Sequence, residues 1–293
     1  MDQFDKELLL WVEGLLSAYK RFVHESEGTE KEESRVNGLR GLVNLANSVL
    51  RDVPIFGIEP WHVIGKSVPM SMPGEMLLRL KDYKGDPIPP YPFVMAFYET
   101  GFTAQLDAIL TLAALRQFEK DPSEKQVSIN ISGISLRDPA FVKMVLGRLE
   151  AMDLPNRPHE AVIFEIHESA HHVNTNRSVL ELFRRVGVGF ALDDVGMTMQ
   201  DIMRLGEFEG IADFIKIDRH SVLAEPGAPN AMENIVNYVR SMLPGAVLVA
   251  EGVQNAQHAM QIQTVHPDIV YAQGLYLPSD RDEFSDEYLA LRA

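Results

Sequence analysis

Six apolar runs in this chain each end in a polar or charged group, and that recurrence restricts the fold more than any other feature. The runs are Val127-Ser-Ile-Asn-Ile, Ala161-Val-Ile-Phe-Glu-Ile, Val188-Gly-Phe-Ala-Leu-Asp-Asp, Asp213-Phe-Ile-Lys-Ile-Asp, Val247-Leu-Val-Ala-Glu and Ile269-Val-Tyr-Ala-Gln. Each has the length and apolar density of a buried strand, and segments with helical spacing lie between them. Strands alternating with helices imply an α/β protein with a parallel sheet. Functional groups gathered at strand C-termini are what a (β/α)8 barrel presents on its active face. The pair Asp193-Asp194 is the most telling end: neighbouring carboxylates raise each other's pKa unless a cation or donors neutralise them.

A length of 293 residues suits one barrel plus a smaller appendage. The net charge of −15 argues against DNA or an anionic membrane surface as partner, while leaving room for a local phosphate site. There is no cysteine, which excludes disulfides and thiolate metal sites. The acidic N-terminus does not read as a signal peptide, and no apolar run approaches the roughly 18 residues of a membrane span. The expectation is a soluble cytoplasmic protein.

Along the chain, Phe4, Leu8, Trp11, Leu15, Ala18 and Phe22 recur at steps of four and three, and Val36, Leu39, Val43, Ala46 and Leu50 repeat the pattern. This reads as a helical hairpin over residues 1–53, either packed on its own barrel or used for oligomerisation or a protein partner. The aromatic residues Phe4, Trp11 and Phe22 favour self-association, as a homodimer. Pro54, Pro60, Pro69 and Pro73 bar a continuous helix, so the barrel domain is expected over 54–293. Within it Glu75-Met-Leu-Leu-Arg-Leu reads as a strand, Gly85 to Pro92 as a proline-rich loop, and helices are expected at about Phe102–Phe118, Pro139–Met152, Asn176–Val186, Met199–Leu205, Ala228–Leu243 and Gln254–Val265.

The carboxylates Glu75, Glu165, Asp193, Asp194 and Glu251, with the neutral oxygen of Asn130, form an oxygen-rich and sulfur-free set suited to Mg²⁺ or Mn²⁺. Such ions bridge phosphate oxygens and acidify a bound water, as phosphodiester hydrolysis requires. Lys216, flanked by apolar residues, needs a partner such as Asp218 or a ligand phosphate if it is buried. Arg79 either clamps a phosphate or sits on the barrel surface. One motif points elsewhere: His167-Glu168-Ser169-Ala170-His171 matches the H-E-x-x-H pattern of zinc proteases. That chemistry needs both histidines on one helix face, whereas His167 closes a strand-like run, so the zinc reading is expected to fail.

From about Ile58 to the C-terminus the chain resembles the EAL domain family, bacterial phosphodiesterases of cyclic di-GMP. Glu75-Met-Leu-Leu-Arg is similar to the signature Glu-Ala-Leu-Leu-Arg, and Val127-Ser-Ile-Asn-Ile-Ser to Val-Asn-Leu-Ser. Glu165 to Ser169 resembles Glu-Ile-Thr-Glu-Ser with His167 for Thr. Asp193-Asp194, Lys216-Ile-Asp218-Arg219, Ala250-Glu251-Gly252-Val253, Gln273-Gly274 and Glu99-Thr100-Gly101 complete the order. The resemblance implies a modified TIM-like (β/α)8 barrel whose first strand is antiparallel, and hydrolysis of cyclic di-GMP to linear pGpG with Mg²⁺ or Mn²⁺. It implies Glu75, Asn130, Glu165, Asp193 and Asp194 as metal ligands, Lys216 and Asp218 in the catalytic machinery, and Glu251 as general base. Gln273 and Arg79 would contact the ligand, and Glu168 would support the loop after Asp194.

The departures fall around the metal shell. The family's Asp-Asp-Phe-Gly-Thr-Gly loop is here Asp193-Asp-Val-Gly-Met-Thr198, Gln254 replaces a second Glu, and the stretch after Gly274 lacks the usual Phe and basic-Pro ending. An active phosphodiesterase of reduced rate is the expectation. The alternative is a receptor that binds cyclic di-GMP without hydrolysing it and signals through the N-terminal helices. The presence of Glu75 and both aspartates favours the enzyme.

Overall fold

The structure, a computed structural model, describes residues 3–25, 32–64, 73–121, 126–157, 161–167, 177–223 and 231–274. Two helices, α1 (Gln3–Glu25) and α2 (Glu32–Leu50), precede a mixed sheet that curls into a barrel. Its parallel run is β3 (Gly74–Leu78), β4 (Gln126–Ile131), β5 (Ala161–Ile166), β6 (Val188–Val195), β7 (Phe214–Ile217), β8 (Val247–Ala250) and β9 (Ile269–Ala272), each hydrogen-bonded to the next. Two short strands, β1 (Phe56–Pro60) and β2 (His62–Val63), are separated only by Trp61. β1 pairs antiparallel with β3 at one edge and β2 antiparallel with β9 at the other, so this one extended segment closes the barrel. The antiparallel opening strand therefore lies ahead of the Glu75 strand, in a stretch that its prolines had marked only as non-helical.

Helices α3 (Pro90–Thr100), α4 (Thr103–Lys120), α5 (Pro139–Met152), α6 (Arg177–Arg185), α7 (Met199–Glu207), α8 (Arg219–Val222), α9 (Ala231–Met242) and α10 (Ala256–Val265) fill the connections. α3 corrects the sequence reading, which ran a proline-rich loop to Pro92. Proline is tolerated in a first helical turn, where its missing N–H would be unsatisfied anyway, so Pro90 and Pro92 start the helix. Gly101, with φ 79°, ends it in the left-handed conformation.

Strand alternation divides the barrel interior into two layers. Trp61, Ile163, Ala191, Val249 and Tyr271 are buried together, with Phe214 and Val247 against them. Trp61 meets Phe214 edge-on, ring centroids 5.2 Å apart. Two residues further along the same strands stand Glu165, Asp193, Lys216, Glu251 and Gln273. The apolar layer thus forms the floor under the polar one.

The N-terminal helices pack on this barrel through a face rotated by one residue from the expected seam. α1 buries Leu8, Val12, Leu15 and Tyr19, and α2 buries Gly38, Gly41, Leu42, Leu45 and Val49. A side chain at Gly41 would collide with the ring of Phe93 on α3, which explains glycine inside a helix where alanine is intrinsically better by about 1 kcal/mol. Phe4, Trp11 and Phe22 pack partly buried on the chain's own core, with Phe22 edge-on to Phe102, so the aromatic seam is covered within one chain. Buried Arg116 of α4 bridges Asp5 of α1 and Asp52 just beyond α2. Apolar positions left exposed are Leu10 of α1 and, one heptad apart on the outer side of α2, Val36, Val43 and Leu50.

Candidate active site

At one mouth of the barrel one ammonium faces four carboxylates, three at the C-terminal ends of β5, β6 and β8 and one, Glu75, near the start of β3. Lys216 Nζ lies 2.7 Å from Glu165 Oε2, 2.7 Å from Glu251 Oε1, 2.9 Å from Asp193 Oδ1 and 3.3 Å from Glu75 Oε2. Asn130 Nδ2 donates to Glu75 Oε1 at 2.6 Å, and Gln273 Nε2 donates to Glu75 Oε2 at 2.7 Å. These seven residues come from seven elements or their ends, β3 to β9, and only the closed barrel brings them together. The partner suggested by sequence proximity, Asp218, is elsewhere: its Oδ1 accepts from the backbone N–H groups of His220 and Ser221 and caps α8. A carboxylate two residues along a strand is easily drawn to a helix N-terminus, where unsatisfied N–H groups await an acceptor.

The adjacent aspartates both reach the site because β6 breaks its alternation. The β6–β7 register shifts between Leu192 and Val195, and Asp194 has φ 51°. A regular strand would send Asp194 to the opposite face from Asp193; the bulge turns it back. As a result one oxygen each from Asp193, Asp194 and Glu251 lie within 4.8 Å of one another. On the other side of Asp193, His167 Nδ1 stands 3.0 Å from Oδ2. Gly252, with φ 69°, lets the chain turn sharply after Glu251 beneath Arg219, whose side chain would collide with any Cβ there.

Burial is the largest influence on the pKa of Glu165 and Glu251, and it pushes each up to about 8 against the pull of Lys216. Asp194 is raised by burial and by Asp193. Burial also opposes the charge on Lys216 and on Asp193. For Lys216 the four carboxylates outweigh burial and hold the ammonium well above its ordinary value. For Asp193, Lys216 and His167 outweigh it and hold the carboxyl far down. The cluster is short of positive charge, and it keeps protons on Glu165 and Glu251 near neutral pH.

The donor set fits a divalent cation. Besides the excess of carboxylates, the buried oxygens Asn130 Oδ1, Glu165 Oε1 and Gln273 Oε1 have no hydrogen-bond partner among the described residues. Buried polar atoms are ordinarily satisfied, and oxygen atoms left over in an acidic cluster are what a hard cation coordinates.

Four supporting residues were not singled out in the sequence. Arg204 of α7, itself buried, donates to the carbonyl oxygens of Ile166 at 2.9 Å and Asp193 at 2.8 Å, tying the helix after the Asp194 loop to two strand ends. Thr198 and Asp201 cap α7 reciprocally, closing that loop; the spacing Thr-x-x-Asp was a visible signal for it. Asp107 of α4 accepts from Ser132 N and Ser135 Oγ, holding the turn beyond Asn130. Arg79 sits exposed past β3 with Nη1 on Leu78 O, outside the cluster. Gln254 is exposed as well. Glu168, expected to support the loop, and His171 lie outside the described residues, as does the second half of the zinc-protease pattern. His167 itself directly follows β5.

The EAL domain family model matches residues 71–279, which takes in the cluster and most of the chain. The chain belongs to the EAL domain family. This EAL domain is similar to the FimX EAL domain from Pseudomonas aeruginosa bound to c-di-GMP, at 19% identity and a TM-score of 0.66, covering 82% of this chain and 98% of that one. It is similar also to the PaMucR phosphodiesterase in its c-di-GMP complex, at 23% identity and a TM-score of 0.60, covering 76% and 94%. The Vibrio cholerae LapD S helix-GGDEF-EAL structure bound to c-di-GMP shares 17% identity and a TM-score of 0.64, covering 80% and 55%. Among curated protein sequences none matches this EAL domain. No helix among the described residues is long and apolar enough to cross a membrane.

The protonated glutamates make cation binding pH-dependent. A cation must displace the protons on Glu165 and Glu251, so its affinity should rise as pH increases from about 6.5 through 8 and level off above about 9. Calorimetry in buffers of different ionisation heat should find protons released at pH 7 and few at pH 9.5. A cation affinity flat across that range would contradict the assignment.

Proposed function

We propose that this EAL domain hydrolyses cyclic di-GMP to linear pGpG with Mg²⁺ or Mn²⁺, as a soluble cytoplasmic signalling enzyme. The observation that carries the proposal is the complete acidic set around Lys216, with Asp193, Asp194 and Glu251 converging within 4.8 Å. Glu75, Asn130, Glu165, Asp193 and Asp194 would hold the cation. When bound it would neutralise phosphate oxygens and acidify a water molecule.

The chain's own groups supply the remainder. Lys216 lies at the centre of the cluster with its charge fixed, and it attracts the anionic phosphodiester and orients it against the strand ends. Glu251 has Oε1 committed to Lys216; its carboxyl is pushed up to about 8, so only once its own proton has been displaced does its other oxygen take a proton from the attacking water. Gln273 directs its free amide oxygen at the same space. Arg79, exposed at the rim, clamps a phosphate oxygen, and Glu168 supports the loop after Asp194. Asp218 acts by position: it caps α8 and so sets Arg219 over the Glu251 turn. The apolar floor of Trp61, Ile163 and Tyr271 keeps water from entering below the site.

Residues 1–53 form a separate helical unit in this proposal, and its outer face is the route to a homodimer. Val36, Val43 and Leu50 repeat every seven residues on the exposed side of α2. An antiparallel second copy sets Glu32 and Glu33 of one helix against Arg51 of the other, so charge complements the apolar stripe. Light scattering should give a dimer for the full chain and a monomer for Val43→Glu. A monomeric wild type at micromolar concentration would remove the dimer.

Incubation with cyclic di-GMP and Mn²⁺, followed by chromatography, should yield pGpG. Glu75→Ala and Glu251→Ala should each lower the rate at least about 100-fold. Tight cyclic di-GMP binding with no pGpG at saturating Mn²⁺ would replace the enzyme with a receptor.

A further inference from the structure

His167 sits where strand alternation places a third inward-facing side chain on β5, after Ile163 and Glu165. Its backbone N–H still reaches Ile131 O, so the residue continues the sheet edge. The imidazole Nδ1 is 3.0 Å from Asp193 Oδ2. Asp193 is already fixed without it, since Oδ1 pairs with Lys216 at 2.9 Å and its carbonyl accepts from Arg204 at 2.8 Å. A histidine is therefore not needed to orient that carboxylate. Two donor atoms 3.0 Å apart also match neighbouring corners of an octahedron whose ligands stand about 2.1 Å from its centre.

Building on the reading that this face holds a divalent cation, we propose that His167 supplies a nitrogen donor on the Oδ2 side of Asp193 and thereby sets the cation preference of the site. Every other donor in the cluster is an oxygen. An imidazole adds affinity for transition ions such as Co²⁺, whereas Mg²⁺ favours oxygen donors and retains its waters. His167 thus makes a site that accepts Mg²⁺ through its oxygens bind a transition ion more tightly still.

The test compares full-length wild type with His167→Thr and with His167→Gln, whose amide can still donate to Asp193 Oδ2. Circular dichroism first establishes that the variants are folded, as expected for a side chain at the mouth of the barrel. Calorimetric titration with Co²⁺ should show both variants weakened by about 10–100-fold, with Mg²⁺ affinity changed by less than about 3-fold. Pulsed electron paramagnetic resonance on the Mn²⁺-loaded proteins should show nitrogen coupling in the wild type that both variants lose. Equal loss for Co²⁺ and Mg²⁺, rescue by His167→Gln, or the absence of nitrogen coupling in the wild type would overturn the proposal. A wild type with nitrogen-coupled Mn²⁺ that makes no pGpG would sink the phosphodiesterase reading and leave this one standing.

Discussion

The charge imbalance around Lys216 is the constraint on which the rest of the structure depends. One buried ammonium among Glu75, Glu165, Asp193 and Glu251 cannot neutralise them, and desolvating four carboxylates for a single cation is a poor route to stability. Removing such groups in favour of apolar side chains often leaves a protein as stable or more so. Their presence at the strand ends is explained by what they bind. The barrel accommodates the arrangement because Trp61, Ile163, Ala191, Val249 and Tyr271 fill the layer beneath it and the hydrophobic shell outside the sheet carries the fold.

Around that centre, several local departures from regular structure serve the same end. The β6 bulge and the positive φ of Asp194 turn a second carboxylate inward. Arg204, pinned to the carbonyl oxygens of Ile166 and Asp193, and the Thr198–Asp201 capping pair then hold the loop that follows. In this chain the loop reads Val195-Gly196-Met197-Thr198, with Met197 exposed, so its closure rests on the helix cap and the arginine. These contacts hold a strained, charged edge in one geometry, and that is the condition for electrostatic preorganisation.

The strand ends were legible because a buried strand that stops in a polar or charged group is unusual at every occurrence, and six occurrences in order leave little else. Helices with clear 3.6-residue spacing, such as α5, were legible for the same reason. Periodicity alone did not say which side of a hairpin helix faces inward: Val36, Val43 and Leu50 mark a repeat as well as Leu42, Leu45 and Val49 do, and the packing of Gly41 on Phe93 decides between them. The β1–β2 closure escaped notice because its strands are short and bracketed by proline, and α3 because proline in a first turn looks like proline in a loop. The position of Asp218 depended on a competition between Lys216 and the N-terminus of α8 that no spacing reveals. His167 was visible as half of a misleading protease pattern and as a replacement for Thr in Glu-Ile-Thr-Glu-Ser; its relation to Asp193 comes from two strands adjacent in space.

Completion of the acidic cluster by a divalent cation is tested most directly by thermal unfolding of the unmodified protein with and without one. A ligand that binds only the folded state at 100 times its Kd stabilises it by about 2.7 kcal/mol. For a chain of this size that corresponds to a rise of about 5 °C or more in melting temperature. Mn²⁺ should produce such a rise, and a chelator should reverse it. A melting temperature unchanged by millimolar Mn²⁺ and Mg²⁺ would mean that Lys216 and protons alone balance the carboxylates, and the cation site would not exist.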